Sequence, residues 1–99
     1  MTTPLELSTR RGDDGKPVLT AAGEIDMSNA AEFRDALSQA GTGGAGFTVD
    51  LTAVDYLDSA GLTALLPYAA RVTIIATTML APVLSVSGLD PVTTVVPAP

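Results

Sequence analysis

The sequence predicts an α/β fold: one domain with a mixed, partly parallel sheet whose helices pack mainly on one face. Three observations support this class. At the N-terminal end, two runs with strand character are joined by a turn, as in a hairpin. Farther on, segments with helical spacing alternate with short apolar strands, which requires crossover connections over a parallel sheet. The chain has 99 residues and no internal repeat, so we expect a single domain over residues 1–99, ordered from about 5 to about 96.

The N-terminal segment predicts a β-hairpin. Leu5, Leu7 and Thr9 alternate with polar residues until the sequence Gly-Asp-Asp-Gly at 12–15, which is a dense turn signal. An extended run resumes at 18–22. We expect the tip of the hairpin to hold its charged residues in solvent, namely Arg10, Arg11, Asp13, Asp14 and Lys16.

The next segment predicts a helix over about residues 29–40. Its apolar residues recur at helical spacing, at Ala30, Phe33, Leu37 and Ala40. Asn29 and Glu32 have the spacing of a capping pair at its start. The glycine-rich stretch 41–46 is too flexible to continue the helix. Residues 47–51 then alternate as a strand with one face packed.

A second helix is predicted to begin beside Asp58 and Ser59. Its apolar stripe has i, i+3, i+4, i+7 spacing, at Leu62, Leu65, Leu66 and Ala69. Pro67 lies inside this stripe. Because proline lacks a backbone N–H and clashes with the preceding turn, we expect the helix to kink or end near Leu66.

The C-terminal part predicts a buried strand at 72–76, a short helix opened by Pro82 and closed by Gly88, and a last strand at 92–96. Residues 72–89 carry no charge and have about the length of a minimal membrane span. Their β-branched and helix-breaking residues instead favour a buried strand followed by a helix. With no signal segment at the start, we expect a cytoplasmic protein without a membrane span.

The composition argues against several functional classes. Eleven acidic residues against five basic ones give a net charge of −6, so we expect no direct contact with nucleic acid. The chain has no His and no Cys, which excludes imidazole bases, thiol nucleophiles, disulfides and most zinc sites. Hydroxyls and carboxylates remain as the reactive groups, and the expected partner is a protein.

The sequence Asp-Ser-Ala-Gly-Leu at 58–62 places a hydroxyl at a helix N-terminus, where free backbone N–H groups favour a phosphate. A structural role also accounts for it, with Asp58 as the N-cap and Ser59 as a small first-turn residue. Asp26 and Asp58 could form an acid/base or Mg²⁺ site, but no phosphate-binding loop or lysine accompanies them. A hydrolase or transferase with Ser59 as nucleophile is disfavoured, because no base is available to activate it.

Three dispersed segments resemble motifs of the STAS family. Asp-Ser-Ala-Gly-Leu resembles the family's phosphorylation-site motif at the start of its second helix. Gly-Glu-Ile-Asp at 23–26 is similar to a family segment that precedes the first helix, and residues 83–90 look like its closing helix. The three occur in order, which makes their combination more specific than any one of them. The resemblance implies a STAS-like domain.

The resemblance also implies a function, that of a bacterial anti-sigma factor antagonist. The unphosphorylated protein would bind an anti-sigma factor that is also a Ser kinase, and so free a sigma factor. Phosphorylation of Ser59 would switch binding off, and a Ser phosphatase would restore it. The chain would be substrate and ligand, not an enzyme, and would need no cofactor. Its partner-binding surface would include Asp26, Asp58, Ser59, Gly61 and Leu62.

A second interpretation remains open, in which the domain is an accessory or scaffold subunit of a sensor or transporter complex and Ser59 is never modified. The sequence also departs from the family. The interval between Ser59 and Val72 is short and contains Pro67. We therefore expect a second helix that is truncated by a turn or more.

Overall fold

The computed structural model describes residues 4–44, 46–86 and 94–97. It contains a sheet of five strands in the order β1-β2-β3-β4-β5. The strands are β1 Glu6–Arg11, β2 Pro17–Ile25, β3 Phe47–Leu57, β4 Val72–Ala76 and β5 Thr94–Pro97. The helices are α1 Ala30–Ala40, α2 Ser59–Leu65 and α3 Ala81–Val86, and a 3₁₀ turn at Leu66–Tyr68 follows α2.

The topology confirms the predicted fold class. β1 and β2 form the antiparallel hairpin, and β2 through β5 are parallel neighbours. One helix lies in each connection between successive parallel strands. Because each strand is added on the same side of the previous one, right-handed crossovers place these helices on one face.

The two faces of β2 differ in burial. Leu19, Ala21 and Ile25 are fully buried on the face that carries the helices. Thr20 and Glu24, on the opposite face, are only half-buried. α1 packs onto the first face through the predicted stripe, and its buried residues are Ala30, Phe33, Leu37 and Ala40. The core between sheet and helices is therefore mostly aliphatic.

β3 continues beyond the predicted end at Leu51 because two bulges change its periodicity. Three residue steps separate Asp50 from Ala53, but only two separate their partners in β2, and a second extra residue stands at Asp55. Buried positions therefore recur at every second residue up to Leu51 and at every third from there to Leu57. Bulges of this kind are common at sheet edges and beside functional sites.

The second helix ends as predicted, but its buried face is different. α2 stops at Leu65, and Pro67 lies in the 3₁₀ turn that follows. The buried residues of α2 are Gly61, Ala64 and Leu65. Leu66, which the predicted stripe included, is 50% exposed, so that part of the prediction is wrong. A 3₁₀ turn has about three residues per turn instead of 3.6, which rotates the residues after Leu65 away from the helical stripe.

The uncharged segment near the C-terminus forms a strand and a short helix, as predicted. β4 matches the predicted range, and α3 begins one residue before Pro82. Gly88 and the first two residues of the predicted last strand lie outside the described residues. Within the described ranges, no helix combines the length and the apolar character that crossing a membrane requires.

Candidate functional site

The candidate site lies at one end of the sheet, where β2 and β3 finish side by side. Ile25 and Leu57, the last residues of these strands, are paired in register. The backbone N–H of Asp58 donates to the carbonyl oxygen of Ile25 at 3.1 Å. Asp26 and Asp58 therefore occupy adjacent positions directly after the strands. We call this end of β2 and β3 the carboxyl edge, which is the usual place for binding sites in α/β sheets.

Asp58 is the N-cap of α2, as predicted. Its backbone is extended, and its carboxylate accepts hydrogen bonds from the backbone N–H groups of Ala60 at 2.9 Å and Gly61 at 3.4 Å. Its carbonyl oxygen accepts the first helical bond, from the N–H of Leu62 at 3.1 Å. These bonds satisfy N–H groups that a helix start would otherwise leave free. Helix capping alone therefore accounts for an aspartate at position 58.

Ser59 is the first residue of α2, and its side chain is exposed. Within the described part of the chain, its hydroxyl has no hydrogen-bond partner. Its carbonyl oxygen accepts from the hydroxyl of Thr63 at 2.8 Å, which is a bond within the first turns of the helix. The hydroxyl of Ser59 is therefore free to meet another molecule, while the backbone that carries it is held in place by Asp58.

Gly61 allows α2 to approach the sheet closely. A Cβ atom at this position would lie 2.8 Å from Cγ2 of Ile25 and would also overlap the side chain of Leu57. Contacts below 3.0 Å require the neighbours to shift. Gly61 is buried, so it sets the position of Ser59 and presents no side chain to a partner. Leu62 is half-buried and packs against the core.

Asp26 lies in a turn held by a network of hydrogen bonds. Its carboxylate accepts from the backbone N–H of Ser28 at 2.9 Å and from the Ser28 hydroxyl at 2.5 Å. The side chain of Asn29 accepts from the N–H of Asp26 at 2.9 Å and donates to the carbonyl oxygen of Glu24 at 2.8 Å. The predicted capping pair of Asn29 and Glu32 is therefore wrong, because the Asn29 side chain binds residues before the helix.

The same turn lowers the pKa of Asp26. The main cause is the hydrogen bond from the Ser28 hydroxyl, followed by the bond from the Ser28 backbone N–H. Partial desolvation opposes the shift, and the backbone of Asn29 adds a smaller lowering. Hydrogen bonds to the ionised form favour that form. The carboxyl edge therefore carries a negative charge at Asp26 at neutral pH.

The carboxylates of Asp26 and Asp58 are each engaged in local hydrogen bonds. Each accepts from backbone N–H groups two or three residues further along the chain. Across residues 4–44, 46–86 and 94–97, no three acidic side chains gather in a way that could hold a metal ion. Sequence reasoning missed the contribution of Ser28 and assigned Asn29 to the helix cap, although an Asp side chain commonly bonds the backbone N–H two residues further on.

Solved structures with a similar fold include three regulatory proteins. An anti-sigma factor antagonist from Mycobacterium paratuberculosis has a TM-score of 0.86 at 23% identity, over 96% of this chain and 87% of that one. The anti-sigma factor antagonist SpoIIAA in its unphosphorylated form has a TM-score of 0.66 at 16% identity, over 95% and 90%. An antisigma-factor antagonist STAS domain from Rhodobacter sphaeroides has a TM-score of 0.54 at 13% identity, over 76% and 87%.

Sequence comparison places the chain in a family. No curated protein sequence matches the chain significantly. A family model described as "Mlab, STAS domain" matches residues 8–94, a stretch that includes most of the hairpin, the carboxyl edge and β4. The predicted resemblance is thereby confirmed, and the chain belongs to the STAS domain family.

Proposed function

We propose that this protein is an anti-sigma factor antagonist that is controlled by phosphorylation of Ser59. In its unphosphorylated form it binds an anti-sigma factor with Ser kinase activity and so frees a sigma factor in the cytoplasm. A Ser phosphatase reverses the modification. The observation that carries this proposal is the exposed hydroxyl of Ser59 at the start of α2, directly after its capping residue Asp58. Anti-sigma factor antagonists with the same fold support the role.

The switch follows from the charge of a phosphate at this position. Phosphorylation adds a charge of about −1.5 to −2 at neutral pH. Asp58 is the preceding residue, and Asp26 occupies the adjacent strand end. A partner that docks on this edge would have to desolvate the new charge beside both carboxylates. Like-charge juxtaposition in an interface costs several kcal/mol. Binding should therefore be lost while the domain remains folded.

The test is calorimetric binding of the purified protein to the anti-sigma factors of its source organism, taken one at a time. The forms compared are wild type, Ser59→Ala, Ser59→Glu and the phosphorylated protein. Ser59→Ala should bind like wild type and resist phosphorylation. The phosphoprotein should bind about 100- to 1000-fold more weakly, since each 1.4 kcal/mol is tenfold. Ser8→Glu, on the exposed face of β1, is a matched control for added charge and should bind normally.

The rival interpretation as an accessory or scaffold subunit makes the opposite prediction. In that case all forms would bind their partner alike, and Ser59 would not be the residue that a kinase modifies. Phosphopeptide mapping after incubation with each kinase and ATP distinguishes the two. Modification at another residue, or equal binding by all forms, would contradict the proposed switch.

A further inference from the structure

Met27 is unusual among the apolar residues because its side chain is 83% exposed. It is the most exposed of the large hydrophobic side chains in the described residues, ahead of Met79 at 65%. Single exposed apolar residues are common on protein surfaces and need no function. Met27 differs because of the rigid backbone that holds it and because of the site beside it.

The backbone on both sides of Met27 is fixed by hydrogen bonds. On one side, the N–H of Asp26 donates to the Asn29 side chain at 2.9 Å. On the other side, the N–H of Ser28 donates to the Asp26 carboxylate at 2.9 Å. The N–H of Asn29 also donates to the carbonyl oxygen of Asp26 at 3.2 Å, which closes the turn. A polar network thus holds an apolar side chain out in solvent, and such preorganisation lowers the entropic cost of binding.

Met27 and Ser59 occupy equivalent places just beyond the ends of neighbouring strands. Each is the second residue after the paired strand ends Ile25 and Leu57. The hydrogen bond from Asp58 to Ile25 ties the two segments together at this point. A partner that covers Ser59 at the carboxyl edge therefore lies close to Met27.

Basic residues are concentrated away from this edge. Four of the five lie at the opposite end of the strands, around the hairpin turn or directly before β4: Arg10, Arg11, Lys16 and Arg71. The fifth, Arg34, lies within α1. Asp26 and Asp58 are thus the charged residues that directly follow the paired strand ends. A complementary partner surface would be basic around an apolar centre.

We infer that Met27 is the apolar anchor by which this protein docks onto its anti-sigma factor, in a pocket of the partner that is rimmed by basic side chains. This inference rests on the proposed function and identifies the contact that provides the affinity for the anti-sigma factor. Interface energy is concentrated in a few side chains that fill desolvated pockets and are surrounded by contacts that exclude water. Methionine suits this role because its unbranched, polarizable side chain adapts to irregular pockets.

The first experiment measures calorimetric binding of Met27→Ala to the anti-sigma factor that binds wild type. We expect a loss of about 10- to 100-fold, with the circular dichroism spectrum unchanged. Met79→Ala is the matched control, because Met79 is also exposed but follows a different strand, β4. The last residue of β4 that pairs with β3 is Ile75, which lies opposite Asp50, so β4 ends short of the carboxyl edge. Met27→Leu, which keeps the apolar volume, should restore most of the affinity.

The second experiment maps the contact directly by oxidation with hydrogen peroxide. One oxygen atom is transferred from peroxide to the methionine sulfur, which yields the sulfoxide and water. In the free protein both Met27 and Met79 should react. In the complex, mass spectrometry should show protection of Met27 and continued oxidation of Met79. Equal oxidation of Met27 in both states would overturn the inference.

The outcomes separate this inference from the proposed function. If wild type binds an anti-sigma factor and Ser59→Glu does not, but Met27→Ala binds like wild type, the anchor is wrong and the switch stands. If wild type binds none of the anti-sigma factors, both the proposed function and the inference about Met27 are wrong. If sedimentation shows that wild type dimerises and Met27→Ala does not, the occupant is a second copy of this chain and the inference is overturned.

Discussion

The backbone N–H of Asp58 donates to the carbonyl oxygen of Ile25 at 3.1 Å, which joins the ends of the two strands that carry the candidate site. The same residue caps α2 with its carboxylate. One aspartate thus fixes both the strand ends and the helix that begins with Ser59. The geometry of the site depends on these local bonds, and each can be tested separately.

The cap formed by Asp58 should contribute measurably to stability. Asp58→Ala removes the acceptor for the N–H groups of Ala60 and Gly61, and should lower the free energy of unfolding by about 0.5 to 2 kcal/mol. Asp58→Asn should lose much less, because asparagine caps about as well. Urea denaturation of the variants measures the difference. An equal loss in both would mean that charge, and not the cap, is what matters at this position.

Close packing at Gly61 should be intolerant of a methyl group. Gly61→Ala places a Cβ 2.8 Å from Cγ2 of Ile25, so α2 or the strand ends must move. Overpacking of this kind costs about 1–3 kcal/mol. Gly43→Ala is the control, since a Cβ at Gly43 meets nothing within 4 Å. If urea denaturation finds both variants equally stable, α2 does not lie as close to the sheet as described.

The turn around Asp26 should make stability depend on pH. The pKa of Asp26 is lower in the folded state, mainly because of the Ser28 hydroxyl. The hydrogen bonds to its carboxylate therefore stabilise the fold above the pKa of an unfolded aspartate, and this contribution is lost as the pH falls through the folded-state pKa. Ser28→Ala should move the Asp26 pKa up toward the ordinary value, as followed by NMR titration of the carboxyl carbon.

A comparison of unfolding at different pH values provides the control for that prediction. Ser28→Ala should be less stable than wild type at neutral pH, and the two should converge in acid, where Asp26 is protonated in both. In an Asp26→Asn background the Ser28 substitution should lose its pH-dependent effect. A pKa for Asp26 that does not respond to Ser28→Ala would contradict the hydrogen bond between these side chains.

Local patterns predicted the elements whose residues interact mainly with their own neighbours. The stripe of α1 and the range of β4 follow from periodicity and burial alone, and the N-cap at Asp58 follows from the preference of aspartate for that position. The bulges in β3 could not be predicted this way. They depend on how β3 pairs with β2 after Asp50, beyond the residues that pair with β4.

The candidate site was predicted in part for the same reason. A contiguous motif identified Asp58 and Ser59 from the sequence. Asp26 belongs to a separate segment, and it lies near them because the strand ends Ile25 and Leu57 are paired in the sheet. The role of Asn29 was misassigned, because an asparagine before a helix can either cap the helix or bond the backbone of the preceding turn, and the sequence does not distinguish the two. The exposure of Met27 is invisible to a hydrophobicity pattern, because an apolar residue next to a helix start is equally compatible with a buried position.

The last prediction is that a negative charge at Ser59 changes binding without changing the fold. Ser59→Glu lies in the first turn of α2, where the helix dipole favours an anion, while Asp58 next to it repels one. The opposing effects on an exposed residue should leave the free energy of unfolding within about 0.5 kcal/mol of wild type. Urea denaturation followed by circular dichroism measures this, with Ser59→Ala as the uncharged control. A loss of about 2 kcal/mol or more would mean that the charge disturbs the start of α2 itself, and the purely electrostatic account of the switch would have to be abandoned.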